Sequence, residues 1–594
     1  MGKSVFGSRA IWSLMTSAVA GILMLAAPGR GAVITCPADD SGLSLPAGFC
    51  ATVFADGIGH ARHLVVSSGG VVYVNTWSGA YFANEAPHAG GFLVALKDTH
   101  GNGKADVNQR FGPAAVDGVA GGTGIGIYKD GLYAEVDDKI VRYPLPAGTI
   151  SPRGTPETIV AGMPLGGDHP MHPFAIDGNG LMYIDMGSAT NSCQPQNRSL
   201  ESPGLTPCTE LATRGGIWRY DANKTGQLFS PAERYATGIR NGEGFAVDTA
   251  GHRIFVTQHG RDQLHSNWPA FYELSEEATL PAEELLELKQ GGDYGWPECY
   301  YDSRRHSLMQ APEYGGNGRQ VGNCAGKIGP VADFPAHWAP DGMTYYDKKQ
   351  FPTRYQNGIF IAFHGSWNRA PFPQSGYNVV FQTLAGGASP PTCEIFADGF
   401  AGPDKSPERA LHRPTGLAVG ADGSLFVSDD VRGRIYRIAY RGKPDDGGAI
   451  RPAPCPSASA PPGDLVALDE KQRSAAHAKQ GIPDTASLPV PEDATTEMVV
   501  LGDRIFHGQV GGAACTGCHG SAATGGPLGP DLTVDRWLWS DGSHAGIAAT
   551  IRVGVPHPKN YRAPMPAMGG AQLTADQVSA VAAYVWALSQ PQAK

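Results

Sequence analysis

The sequence predicts an all-β six-bladed β-propeller followed by a small all-α domain, on three observations. A short pattern recurs six times, in which a turn with Gly or Asp precedes aliphatic, aromatic and β-branched residues that suit a strand. Long helical periodicity is almost absent over the same stretch, and 80 glycines fit a chain of many short strands and turns. Beyond a Pro-, Ala- and Ser-rich segment the pattern changes, and the last stretch reads as an amphipathic helix with Thr574 as its N-cap, ending near Leu588.

The six copies are Gly70-Val71-Val72-Tyr73-Val74, Gly131-Leu132-Tyr133, Gly180-Leu181-Met182-Tyr183-Ile184, Arg253-Ile254-Phe255-Val256, Gly358-Ile359-Phe360-Ile361 and Ser424-Leu425-Phe426-Val427. Several follow a stretch such as Phe174-Ala175-Ile176-Asp177-Gly178 or Leu417-Ala418-Val419, a further strand joined by a tight turn. Repeats radiating from an axis let each blade bury one face against the next. A β-sandwich or β-helix is the alternative. The propeller is expected over 33–441, a linker over 442–491 and the second domain over 492–594. Propellers bind ligands where loops converge at the channel mouth, so polar loop residues are the place to look for a site.

The chain has 594 residues, 41% of them hydrophobic, enough for several domains. Lys3 and Arg9 precede an uncharged run from Ala10 to Ala27 and the turn formers Pro28 and Gly29, the pattern of a secretory signal over 1–32. Cleavage between Ala27 and Ala32 would leave no transmembrane segment; an uncleaved anchor is the alternative. The net charge of -10 argues against a nucleic-acid partner. Eight cysteines fall as neighbours, Cys36 with Cys50, Cys193 with Cys208, Cys299 with Cys324 and Cys393 with Cys455. Four loop-stapling disulfides are expected, although spacing alone leaves their connectivity open.

Cys515-Thr516-Gly517-Cys518-His519 carries two thiols spaced for the vinyl groups of a haem, with a histidine at once behind them, the pattern of covalent haem c attachment. His519 is the expected proximal ligand and Met565 the distal one, with Met568 as second choice; such a pair raises the reduction potential. Attachment of this kind requires an oxidising compartment, which with the signal predicts a periplasmic location. With Gly529-Pro530-Asp531-Leu532 and Ala563-Pro564-Met565-Pro566, this region resembles the small bacterial cytochromes c. That resemblance implies that the Pro530 carbonyl accepts the second ring N–H of His519.

Four propeller segments, Asp168-His169, Gly238-Ile239-Arg240-Asn241, Gln258-His259-Gly260-Arg261 and Gly291-Gly292-Asp293-Tyr294-Gly295-Trp296-Pro297, with Arg413 as a weaker fifth match, resemble the soluble quinoprotein glucose and sorbosone dehydrogenase family. The resemblance implies pyrroloquinoline quinone (PQQ) and Ca2+ as cofactors beside the haem. It implies Arg240 and Asn241 near the reactive carbonyl and substrate, Arg413 on the cofactor carboxylates, and the carbonyls of Gly260 and Arg261 on calcium. Arg369 also suits an anionic cofactor, because a planar guanidinium grips carboxylates in pairs. Oxidising a sugar at its anomeric carbon requires a base for the hydroxyl proton, and His169 suits that task, with Asp168 expected to orient its ring. His172, His259, His337 and His364 are secondary candidates. Asp98-Thr99-His100-Gly101-Asn102-Gly103-Lys104-Ala105-Asp106 reads as a polar turn, a second ion being the alternative.

The expected function is a periplasmic dehydrogenase of an aldose or sorbosone-type aldehyde that passes electrons through its own haem to an external acceptor. A calcium-dependent lactonase propeller and a non-enzymatic electron-transfer protein are the alternatives.

Overall fold

The computed structural model describes residues 40–77, 90–113, 121–369, 372–384, 391–403, 410–442 and 453–462, with Gly2 and Lys405. It also describes residues 485–590 apart from 509, 511–512, 514, 521, 526–528, 557, 562–564 and 572. Apart from Gly2, the expected signal lies outside the described residues, as do 443–452 and 463–484 of the expected linker.

Six sheets, each with four antiparallel strands, form the blades, and Gln227–Leu228 adds a parallel fifth strand at the edge of the second. Blade 1 is His60–Val66, Val72–Trp77, Leu93–Lys97 and Val107–Phe111; blade 2 is Gly121–Tyr128, Gly131–Val136, Lys139–Pro144 and Glu157–Ala161; blade 3 is Phe174–Ile176, Leu181–Met186, Gly216–Asp221 and Arg234–Thr237. Blade 4 is Phe245–Asp248, Arg253–Gln258, Glu283–Glu287 and Ala332–Phe334, and blade 5 is Pro340–Tyr346, Gly358–Phe363, Asn378–Thr383 and Cys393–Ala397. Blade 6 takes Pro414–Val419, Leu425–Asp429 and Arg434–Tyr440 from one end of the propeller and its outermost strand, Phe49–Ala55, from the other.

Every repeat copy read from the sequence is the second strand of a blade, and its aromatic is buried. The cross-strand partners on the innermost strands are Val65, Gly126, Ala175, Ala246, Thr344 and Ala418. The physical logic is a wedge: small residues suit the crowded axis, and rings fill the widening gap between blades. The closing strand is pinned by Phe49, whose ring meets Phe351, Tyr355 and Phe396 edge-on at 4.8, 5.4 and 4.9 Å. Each such pair contributes about 0.5–1.5 kcal/mol beyond its buried area.

In a four-stranded antiparallel blade, the link from second to third strand and the link from the last strand to the next blade emerge on the same face. Asp168, His169, Arg240, Asn241, Gly260, Arg261, Arg369 and Arg413 all lie in such links. Disulfides Cys193–Cys208 and Cys299–Cys324 staple two long insertions, and Cys393–Cys455 ties the segment after the propeller to blade 5. Cys50 is also disulfide-bonded, and Cys36 lies outside the described residues. The Asp98 carboxylate accepts the backbone N–H groups of His100, Asn102 and Gly103, which makes it the lynchpin of a polar turn.

The second domain is helical. Its first helix, Thr496–Phe506, crosses its last, Ala575–Ser589, at Gly502, where a Cβ would stand 2.0 Å from the Ala580 carbonyl oxygen. Thr574 caps the last helix in a capping box with Gln577.

Candidate functional site

His169 is buried in the link between blades 2 and 3. Its Nδ1 lies 3.0 Å from the Ser188 carbonyl and 2.9 Å from the Ser188 hydroxyl, which itself donates to the Thr190 carbonyl. A carbonyl only accepts, and the hydroxyl proton is already used, so Nδ1 must carry the ring hydrogen and Nε2 the lone pair. Burial, then the guanidiniums of Arg240 and Arg198, hold the imidazole well below its usual 6.5, so the ring is neutral near pH 7. Gly187 permits this approach, since a Cβ there would stand 2.6 Å from that of His169.

Asp168 does not orient the ring, contrary to the sequence expectation. Its carboxylate faces away, accepting from Asn197 Nδ2 at 3.1 and 3.2 Å and from Arg198 Nε at 3.0 Å. Arg198 also reaches Asp262 Oδ2 at 2.9 Å, and Arg240 Nη2 meets the same oxygen at 3.0 Å. Asn368 Nδ2 donates to Asp262 Oδ1 at 2.6 Å. Burial alone would raise the Asp262 carboxyl, but Arg198 and Arg240 override it and hold it well below the usual carboxylate range. Asp262 is therefore the hub of the site.

Arg240 spends its remaining donors on the Asn191 carbonyl at 3.2 Å, Asn191 Oδ1 at 3.0 Å and the Gly260 carbonyl at 3.1 Å. Arg261 pairs with both oxygens of buried Glu313 at 2.6 Å. The Asn241 carbonyl accepts from His259 N, and His259 Nε2 lies 3.4 Å from Asp341. Asp341 continues to Arg62 at 2.9 Å, then to Asp430 at 2.9 Å and His364 at 2.9 Å. The carbonyls of His364 and Gly365 accept from Arg413 at 3.0 and 2.8 Å. A polar network thus runs from Asp341 through Arg62, Asp430 and His364 to Arg413, and His259 Nε2, buried without a hydrogen bond, stands 3.4 Å from its Asp341 end.

Arg369 donates to the carbonyls of Pro373, Ala278, Ala336 and Pro462, and burial lowers it to about 10. Among the described residues, Arg369 and Arg413 hold carbonyls where Arg198, Arg240 and Arg261 hold carboxylates. The donor set therefore fits a planar polyanion such as PQQ, because these two guanidiniums make no close ion pair among the described residues. It fits calcium only jointly with such an anion. Gly260 offers one remaining lone pair, and the described residues contain no cluster of three His, Cys, Asp or Glu side chains for a metal. Of the secondary candidates, His172 binds Glu135 at 3.2 Å, whereas His337 Nε2 donates to the Glu277 carbonyl at 2.7 Å and its Nδ1 lies 3.7 Å from Asp262 Oδ1.

In the helical domain Cys515, Cys518 and His519 line a pocket together with Leu532, Trp537, Met565 and Met568. The two thiols are unbridged. His519 Nδ1 lies 3.0 Å from the Pro530 carbonyl, which fixes the ring and aims Nε2 into the pocket. These residues fit a covalently bound haem.

Loops on one face of a six-bladed propeller, a buried neutral histidine among guanidiniums, and a haem-type pocket together define a two-domain redox protein. Residues 43–441 match the TrAA12-like family model and 500–589 the cytochrome c model; the chain belongs to the TrAA12-like family and carries a C-terminal cytochrome c domain. The pyrroloquinoline quinone-dependent pyranose dehydrogenase of Coprinopsis cinerea is 28% identical over 241 residues, covering 34% of this chain and 30% of that protein. An uncharacterized protein of Borreliella burgdorferi is 30% identical over 212 residues, 35% of this chain and 49% of its own length. The chain therefore spans less than half the length of these curated relatives. The cbb3-type cytochrome c oxidase subunit FixP of Rhizobium etli is 41% identical over 78 residues, 13% of this chain and 26% of that one. The calcium structure of the Trichoderma reesei family AA12 enzyme superposes with a TM-score of 0.51 at 18% identity, over 67% of this chain and 97% of that one, which establishes the shared fold.

Sequence reasoning missed Ser188, Arg198 and Asp262. Asp262 directly follows the Gly260-Arg261 segment, so that motif pointed at it; Arg198 sits in an insertion whose sequence carries no pattern.

Proposed function

We propose that the protein is an exported, periplasmic PQQ-dependent dehydrogenase of aldoses or sorbosone-type sugars that passes electrons to its own haem c and then to an external acceptor. The observation that carries this reading is His169: neutral, with Nδ1 tied to Ser188 and Nε2 left as a base beside two guanidiniums. Nε2 takes the anomeric hydroxyl proton as hydride leaves the same carbon, and the sugar becomes a lactone. PQQ supplies the hydride acceptor when bound, with calcium polarising its carbonyl. Arg369 and Arg413 hold the carboxylates of the cofactor. Arg240 and Asn241 border the reacting end, Arg240 also fixing Asp262 and the Gly260 carbonyl that would ligate calcium with that of Arg261. In the second domain Cys515 and Cys518 carry the haem, and His519 and Met565 ligate its iron.

The test is reconstitution with PQQ and Ca2+, followed by the haem absorption band as aldoses are added. Sugar-dependent reduction is expected, and His169→Ala should slow it by about 10²–10⁴-fold, the usual contribution of a general base. Hydrolysis of a lactone without haem reduction would replace this reading by a lactonase.

A further inference from the structure

We propose that the haem domain delivers the turn directly after Met565, Pro566–Gly570, onto the propeller segment Gln263–Ser266, and that this contact is where electrons leave the propeller. It rests on the function proposed above and adds the route. A side-chain carbon on Gly570 would stand 3.2 Å from Gln263 Nε2 and 3.7 Å from Ser266 Cβ, so the two backbones are in close approach. Gly570 lies two residues beyond Met568 in the turn that lines the haem pocket.

The propeller side of the contact belongs to the site. Gln263 is buried, follows Asp262 directly, and its Oε1 lies 3.4 Å from Arg198 Nη1. Ser266 is fixed by Glu277, which accepts both its N–H and its hydroxyl. A second, independent observation brings the chain to the same place. After the propeller it is stapled to blade 5 by Cys393–Cys455 and by the bond from Ile395 N to the Ala453 carbonyl, and Pro462 then caps Arg369. The neighbour of Arg369, Asn368, donates to Asp262. The tether, through Arg369 beside Asn368, and the haem loop, through Gln263 beside Asp262, thus both reach neighbours of that carboxylate.

Oxidation of one aldose to its lactone releases two electrons and two protons. Haem iron takes one electron at a time, from Fe(III) to Fe(II), so the contact is used twice per turnover. An external one-electron acceptor, such as an oxidised cytochrome, returns the iron to Fe(III) each time.

The Ser266 to Gly570 spacing matches the Cβ separation of a disulfide, about 3.8 Å. The full-length double variant Ser266→Cys/Gly570→Cys should therefore form a 266–570 disulfide under mild oxidation, seen by peptide mapping. The locked holoenzyme should also keep sugar-driven haem reduction within about threefold of the Gly570→Cys single variant. Free thiols at both positions, or a locked form slower than that, would overturn the proposal. Because Gly570 has φ +80°, a side chain there is strained. A photo-cross-linking p-benzoylphenylalanine in place of Ser266 leaves that glycine intact and should capture peptide 566–570; capture of none of it would equally overturn the contact. If the wild-type haem stays oxidised with every sugar, the proposed function fails, whereas the disulfide and the cross-link still decide the docking.

Discussion

The haem pocket and the propeller face of this chain are built on opposite principles. The haem pocket is lined by Leu532, Trp537, Ile547, Val581 and Val585, apolar groups around two thiols and one imidazole. The propeller face is a buried lattice of charges in which Arg198 and Arg240 meet Asp262, and Arg261 meets Glu313. A group attached by covalent bonds needs no ionic grip, so its pocket can be dry and its low dielectric free to tune the iron. A group held only by contacts requires cations, and buried cations persist only when paired in advance.

The largest effect that tests this contrast is Cys515→Ala with Cys518→Ala, which should abolish haem staining after denaturation while the propeller keeps its own unfolding transition. Next is Asp262→Asn. It leaves two buried guanidiniums short of their shared anion and should cost about 3–5 kcal/mol in denaturant unfolding, as broken buried pairs do. The sign of its pH dependence follows from the depressed folded-state carboxyl. Its stabilisation is fully present above the unfolded value near 3.9 and is lost as pH falls below it towards the folded value, so wild type and variant should converge in strong acid. The smallest effect is Ser188→Ala. It removes one of two acceptors at Nδ1 and leaves the Ser188 carbonyl, so turnover should fall by about 10-fold or less, the worth of one hydrogen bond. The acid limb of kcat/KM should lie below pH 6.5 in the free enzyme and disappear in His169→Ala.

The same contrast explains what the sequence revealed. Haem attachment is local chemistry compressed into Cys515–His519, whereas the Pro530 contact to His519 was expected only from the resemblance to small cytochromes c. The blades were legible because each second strand buries an aromatic against a small inner-strand partner, a constraint repeated around the axis. The charge lattice was not legible, because Arg198 and Asp262 meet across 64 residues of chain and through an insertion without periodicity. Nor did adjacency reveal the partner of His169: Asp168 follows the backbone outward to Arg198, and Ser188, at the end of a different strand, reaches the ring.

The last blade borrows its outer strand, Phe49–Ala55, from the opposite end of the propeller. During synthesis that strand emerges first and finds its partner, Arg434–Tyr440, only after every other blade has been made. A chain cut short before Arg434–Tyr440 therefore leaves Phe49–Ala55 without its partner strand and the ring with two open margins.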